Sequence, residues 1–464
     1  MASSTNDGQN FHIVMFPWLA AGHITPFLHL SNDLAGRGFT ITFITPQKAI
    51  DRLGHLNRHP NLITFHPLTL PPVDGLPAGV ETASEVPIEL THFLCVAMDR
   101  TRDQVEAVVR GTRAKLVVFD MAHWVPEITR LLGIKSVNYT VLGASAIAIV
   151  LVPARGLEKG KVLTEDELAV PPPGYPSSTV VLRRGYEAGL LGFLFMPYGE
   201  ATTFWERISL GMKGCDALAM RTCDEIEGKL CGYLGEQYEK PVFLTGPVLP
   251  EQSEDRLEDD RWAEWLGKFE PGSVVFCAFG SQVFLEKDQF QELVLGFELS
   301  GHPFLVALKP PAGASTIEEA LPKGFEERVK GRGIVTGEWV EQVAILNHPS
   351  VGCFVNHCGF GSMWESLTSR CQIVMVPHLA DQVLNTRLMA GELRVGLEVE
   401  RGEKGWVSKE KLSEAIQCVM NSGNELGCSL RENHEKWRGV FSNPGFMSRY
   451  IDKFVQNVNE LVKS

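Results

Sequence analysis

The amino-acid sequence predicts an α/β protein of two doubly wound, parallel-sheet domains facing each other across a cleft. Three observations carry that expectation. The chain has 464 residues, more than one ordinary hydrophobic core spans. Short apolar runs alternate with amphipathic stretches from end to end, the pattern of parallel β/α units. The alternation breaks once, near the middle, in the turn-rich acidic segment LTGPVLPEQSEDRLEDDRW.

In the first half, strands are expected at 11–17, 39–45, 62–66, 116–120, 135–139 and 216–221. Between them, Phe27, Leu28, Leu30 and Leu34 recur at helical spacing, with Ile24-Thr25-Pro26 opening the helix and Gly36 and Gly38 closing it. The proline-rich stretch PPPGYP at 171–176 reads as an irregular loop. The second half restarts the pattern with strands at 273–279, 304–308, 333–336, 352–355 and 373–376. The break at 246–260 is read as a linker, giving domains at 1–245 and 261–464. In such sheets ligands bind beyond the carboxyl ends of the strands, so two facing domains hold two substrates between them. That arrangement suits group transfer.

Composition excludes several classes. Apolar residues at 44% and charged residues at 21% are those of a folded globular protein. A net charge of −13 disfavours a nucleic-acid partner, which needs a basic face to displace counterions. The opening MASSTNDGQN lacks the apolar core of a secretory signal, and the closing NELVKS carries no prenylation motif. No apolar run reaches the ~18 residues of a membrane span. The ten cysteines are scattered without framework spacing, as expected of reduced thiols in the cytosol.

Chemistry concentrates at 339–382, WVEQVAILNHPSVGCFVNHCGFGSMWESLTSRCQIVMVPHLADQ. A buried strand at 352–355 leads into the turn His357-Cys358-Gly359-Phe360-Gly361-Ser362, and a helix is expected from Met363 onward. A glycine turn that delivers a serine to a helix amino end is an anion site, because free N–H groups and the helix dipole both favour phosphate. His357 and Ser362 add side-chain donors, Glu365 is placed to accept from a ribose diol, and Trp339 offers a flat face to a nucleobase. Singly, each feature is commoner in packing than in binding. Trp364 occupies the place of the third glycine of a dinucleotide fingerprint, which disfavours an oxidoreductase. In the first half, His23 follows the first strand and Asp120 ends the run Leu116-Val117-Val118-Phe119. An imidazole with a reference pKa near ~6.5 suits proton abstraction, and a carboxylate on its other nitrogen fixes the tautomer. A strand-end aspartate is, on sequence alone, more often a cap.

Segment 339–382 resembles the signature box of plant secondary-product UDP-glycosyltransferases, which have the GT-B fold of two facing Rossmann-like domains. The match runs through Trp339, Gln342, His348-Pro349, His357-Cys358-Gly359, Ser362, Glu365, Pro377 and Asp381-Gln382, and extends to FPWLAAGHITPFLHLS and FGSQ. The resemblance implies that Trp339 stacks on uracil and that Gln342 and Glu365 hold the ribose. It implies diphosphate contacts from His357, Ser362 and Ser281, and sugar contacts from Asp381 and Gln382. Val340, Gly359, Phe360 and Gly361 complete the implied donor pocket. Most members carry Trp-Asn where this chain has Phe360-Gly361, which removes an indole N–H and an amide from the sugar end. The resemblance also weights His23 and Asp120 as a catalytic pair, with inversion at the anomeric carbon, while His123 is read as helix packing.

No cofactor is expected, since the UDP-sugar is a co-substrate. No metal is expected either: Asp-x-Asp is missing, and Cys353, His357 and Cys358 lack paired zinc spacing. PPPGYP, FGSQ and HCGFGSMWESL are similar to the lineage that adds a sugar to the sugar of flavonoid and anthocyanin glycosides. UDP-glucose ranks first as donor, with UDP-xylose and UDP-rhamnose as alternatives. Trp18, Phe93, Trp124 and Met196 are candidates for the acceptor pocket or for ordinary core. The expected protein is a cytosolic monomer with no membrane insertion, its last helix packed back on the first domain. The competing readings are transfer to flavonoid or terpenoid aglycones, a non-catalytic UDP-sugar or flavonoid binder, and a nucleotide-sugar epimerase.

Overall fold

The structure is a computed structural model describing residues 11–183, 185–248, 257, 259–280 and 283–464. Seven parallel strands form the first sheet: β1 (His12–Phe16), β2 (Thr40–Thr45), β3 (Ile63–Pro67), β4 (Leu116–Phe119), β5 (Lys135–Thr140), β6 (Ala217–Met220) and β7 (Val242–Leu244). Six form the second: β8 (Val274–Ala278), β9 (Phe304–Ala307), β10 (Gly333–Thr336), β11 (Val351–Asn356), β12 (Gln372–Met375) and β13 (Gly396–Glu398). Every expected strand is present; β7 and β13, both short edge strands, were not foreseen.

The sheet orders are β3-β2-β1-β4-β5-β6-β7 and β10-β9-β8-β11-β12-β13. Each order reverses direction once, at the β1/β4 junction in the first sheet and at the β8/β11 junction in the second. Such a junction opens a crevice at the carboxyl ends of the two strands, because the connections leave in opposite directions. The residues expected to carry chemistry follow these strands: His23 comes after β1 and Asp120 after β4, while Gly280 comes after β8 and His357 after β11.

Two helix boundaries correct the expectation. Helix α1 (Ala21–Ala35) starts ahead of Ile24 and takes Pro26 inside, so His23 stands in its first turn. Proline has no N–H for the carbonyl of Gly22, a loss tolerated near a helix start. Later come α2 (Ala144–Val150), α3 (Gln342–Asn347) and α4 (Phe360–Thr368). Helix α4 starts at Phe360 rather than Met363, which puts Gly361 and Ser362 in its first turn. Then follow α5 (Ala380–Arg387) and α6 (Phe446–Lys463). The strongly amphipathic α6 lays Ile451, Phe454 and Val458 on the first sheet, with the Phe454 ring 6.2 Å from that of Phe243.

One apolar core runs through both halves of the molecule, joining Leu218 and Met220 to Phe360, Met363, Trp364, Leu384 and Phe441. The PPPGYP loop is pinned from two sides: Tyr175 donates to the Val180 carbonyl at 2.7 Å and Tyr233 to the Pro173 carbonyl at 2.9 Å. Among the described residues no helix is long and apolar enough to cross a membrane.

Candidate active site

Asp120 is buried, and its two carboxylate oxygens have separate tasks. Oδ1 accepts from the backbone N–H of Trp18 at 2.7 Å and of Met121 at 2.6 Å, the turn-closing work expected of a strand-end aspartate. Oδ2 lies 2.6 Å from His23 Nδ1. A carboxylate only accepts, so Nδ1 carries the proton and donates, leaving Nε2 as the basic nitrogen. The His23 side chain retains 22% of its exposure, enough for Nε2 to be reached from the cleft. Asn138 donates to the Asp120 carbonyl at 2.9 Å and ties this corner to β5.

Across the cleft, the turn after β11 is held in an unusual backbone state. Cys358 has φ +56°, a left-handed conformation that costs a non-glycine residue about 1–2 kcal/mol. Its N–H donates to Asn356 Oδ1 at 2.7 Å, and its carbonyl accepts from Asn385 Nδ2 at 3.0 Å. Gly359 caps α4 because a Cβ there would lie 2.6 Å from His357 Nε2. A Cβ on Gly361 would meet nothing within 4 Å, so this position leaves open space at the amino end of α4. Ser362, partly exposed, stands in the same first turn.

Burial pushes the His357 imidazole down to about 4, a shift the Ala278 backbone partly opposes, and its Nδ1 has no hydrogen-bond partner among the described residues. His378 is pushed to about 3, by burial first and then by the nearby His357 and Arg401, and its Nε2 is likewise unpartnered. Two neutral rings with buried, unsatisfied nitrogens beside the switch-point crevice are what a polar ligand would satisfy.

Trp339 lies beyond the end of β10 and is 84% exposed, the largest value among the large apolar side chains described. Its neighbour Val340 is buried and anchors the segment. Gln342, opening α3, donates to Ser362 Oγ at 3.3 Å and to the Glu365 carboxylate, drawing these three side chains into one cluster on α3 and α4. At the start of α5, burial raises the Asp381 carboxyl above its usual range. Gln382 spends its carbonyl oxygen on the helix start, accepting from the N–H of His378 at 2.9 Å and of Leu379 at 3.0 Å. Only its amide N–H groups remain for a ligand. Ser281 lies outside the described residues.

Residues 272–428 match the family model described as UDP-glucoronosyl and UDP-glucosyl transferase. UDP-glycosyltransferase 79B6 of Arabidopsis thaliana is 54% identical over 457 residues, covering 98% of this chain and 99% of its own. An Arabidopsis thaliana anthocyanidin 3-O-glucoside 2'''-O-xylosyltransferase is 55% identical over 464 residues, covering 99% of each chain. The chain belongs to the plant UDP-glycosyltransferase family. It is therefore a UDP-dependent glycosyltransferase. Its fold resembles the crystal structure of Glycyrrhiza uralensis UGT73P12 complexed with glycyrrhetinic acid 3-O-monoglucuronide, with TM-score 0.77, 22% identity and coverage of 97% of this chain and 96% of that one. Arabidopsis thaliana UGT89C1 complexed with quercetin gives TM-score 0.74 at 21% identity over 98% and 100% of the two chains. The fold is GT-B.

The remaining candidates sort by burial. In this transferase Trp18 and Trp124 belong to the apolar core, and the Trp124 indole donates to Asp99 at 3.1 Å. Phe93 is partly buried and Met196 is 61% exposed. His123 lies in the turn that precedes the helix Val125–Leu132, and burial pushes it to about 4. Three residues of this region were not singled out from sequence: His378, Asn385 and Arg221. Arg221 closed an expected strand run, and its position on the strand rim was the available signal.

The buried histidines set a pH dependence. His123, His357 and His378 titrate in the fold well below the ~6.5 of an unfolded histidine. Between pH 6.5 and about 4 the unfolded chain binds more protons, so stability falls as pH drops through that window. Calorimetry should show a falling melting temperature there, with a shallower slope in His123→Asn. An unchanged slope in the variant would remove His123 from the account.

Proposed function

We propose that the protein transfers a sugar from a UDP-sugar to a sugar hydroxyl of a flavonoid or anthocyanin glycoside. The observation that carries this reading is the His23–Asp120 pair at one switch-point crevice, opposite the α4 turn at the other. Uracil stacks on Trp339, the ribose diol is held by Gln342 and Glu365, and the diphosphate lies at the amino end of α4 near His357 and Ser362. Asp381 and the amide of Gln382 face the donor sugar.

His23 Nε2 takes the acceptor proton as the oxygen bonds to C1, and the C1–O bond to the phosphate breaks with its electron pair leaving on UDP. Attack opposite UDP inverts C1. Asp120 stabilises the imidazolium and does not itself take the proton. Helix-end N–H groups meet the leaving charge, so the reading needs neither metal nor cofactor.

A sugar acceptor is supported by the anthocyanidin 3-O-glucoside xylosyltransferase at 55% identity. UDP-glucose is the first donor in this reading; UDP-xylose is the second, favoured by that same relative. All ten cysteines are free thiols, which supports a reducing compartment such as the cytosol. The proposed enzyme acts as a monomer.

Titration of the donor tests the assignment. Trp339→Ala removes a stacking face and Glu365→Ala leaves ribose hydroxyls unpaired, each worth about 1–3 kcal/mol, or roughly 5- to 150-fold in UDP affinity. Acceptor affinity should stay unchanged. Weakened acceptor binding with intact UDP binding would move the donor site elsewhere.

A further inference from the structure

Arg207, Arg221 and Arg387 are the arginines buried in the described structure, and Arg221 differs from the other two. Arg207 is paired with Asp99, and Arg387 is held between Glu187 and Glu398. Arg221 is 8% exposed and has no ion pair or hydrogen bond from its guanidinium to any described residue, with Nε fully buried and unsatisfied. A guanidinium keeps its proton and offers five N–H donors, so an unpartnered one in the interior is a charge awaiting an anion.

Its position says which anion. Arg221 follows β6, on the same carboxyl rim of the first sheet as His23 and Asp120. Its Cζ lies 5.8 Å from the ring of Phe360, the residue that opens α4. Phe360 itself packs on Gly143, where a Cβ would come within 3.2 Å of its ring. The guanidinium of the first domain thus meets, through the Phe360 ring, the first turn of α4 in the second. Burial lowers its pKa, while Tyr139 and the Glu365 carboxylate, farther along the same helix, pull it back up. Glu365 is already engaged by Gln342, and among the described residues no carboxylate forms an ion pair with Arg221.

We propose that Arg221 is a ligand of the donor diphosphate, supplied by the first domain to a site otherwise built on the second. This rests on the proposed placement of UDP at the amino end of α4. As the C1–O bond breaks and its electron pair passes to the phosphate oxygen, Arg221 meets the charge left on UDP. It neither gives nor takes a proton. The face of the Phe360 ring steers the guanidinium through cation–π attraction.

Isothermal calorimetry with UDP and with uridine separates the diphosphate from the nucleoside. Arg221→Gln should lose about 10- to 100-fold in UDP affinity, as expected for a charge-assisted contact, with uridine affinity unchanged. Arg221→Lys should fall between. The melting temperature of ligand-free Arg221→Gln should match or exceed that of wild type, because the relief of a buried charge with no ion pair among the described residues offsets the lost cation–π contact with Phe360, while the rise on adding UDP should shrink. Equal UDP affinity in wild type and Arg221→Gln overturns the inference. So does an equal loss for UDP and uridine with a lower ligand-free melting temperature, the mark of a structural role. A wild-type protein that fails to bind UDP would instead remove the donor placement on which the inference stands.

Discussion

Replacing His23 with alanine should lower kcat by about 10²–10⁴-fold, the usual contribution of a positioned general base. UDP affinity should be unchanged, because His23 is not among the proposed nucleotide contacts. Asp120→Asn should be nearly as severe, for a reason visible in the hydrogen bonds. Two backbone N–H groups, from Trp18 and Met121, hold Oδ1 and demand an acceptor there. An asparagine must therefore keep its carbonyl on that side and turn its NH₂ toward His23 Nδ1. The ring then takes the other tautomer, with its proton on Nε2, and the basic nitrogen no longer faces the acceptor. UDP release measured at neutral pH, alongside UDP titration, checks both variants. Near-normal turnover in His23→Ala would assign the base elsewhere.

A flavonoid 3-O-glucoside should be a far better acceptor than its aglycone under the same UDP-sugar. A cleft that hydrogen-bonds the hydroxyls of an acceptor sugar leaves those protein groups unpaired when a bare aglycone enters. Each unpaired group costs about 1–3 kcal/mol, so two or three slow the aglycone by several orders of magnitude. Mass spectrometry of the product should show two sugars lost together from one oxygen. Single sugars on phenolic oxygens, at equal or better rates, would favour the aglycone-transferring alternative within the same family.

What the sequence revealed follows physical lines. Fully buried parallel strands such as Val274–Ala278 are continuous apolar runs, legible without a partner. Val242–Leu244 and Gly396–Glu398 are three-residue edge strands, only partly buried, and their register comes from the neighbouring strand rather than from any pattern of their own. Helix starts differ from the expected ones where small residues stand before the apolar periodicity, at Ala21-Gly22 and at Gly361-Ser362. His23 and Asp120 were legible because both follow strands that the apolar pattern defines. That Asp120 serves as cap and histidine partner at once is a property of the fold, since the division of its two oxygens depends on the Trp18 backbone 102 residues away. Arg221 is not legible in the sequence, because only packing shows that its charge has no ion-pair partner among the described residues.

The return of the last helix, Phe446–Lys463, to the first sheet bears on how this enzyme can be recombined with its relatives. A hybrid joined only near mid-chain, taking its first half from one parent and its second half from another, would bring a foreign helix against Phe27 and Phe243. The natural exchange unit is therefore the interior block that ends ahead of Phe446, with both chain ends kept from a single parent.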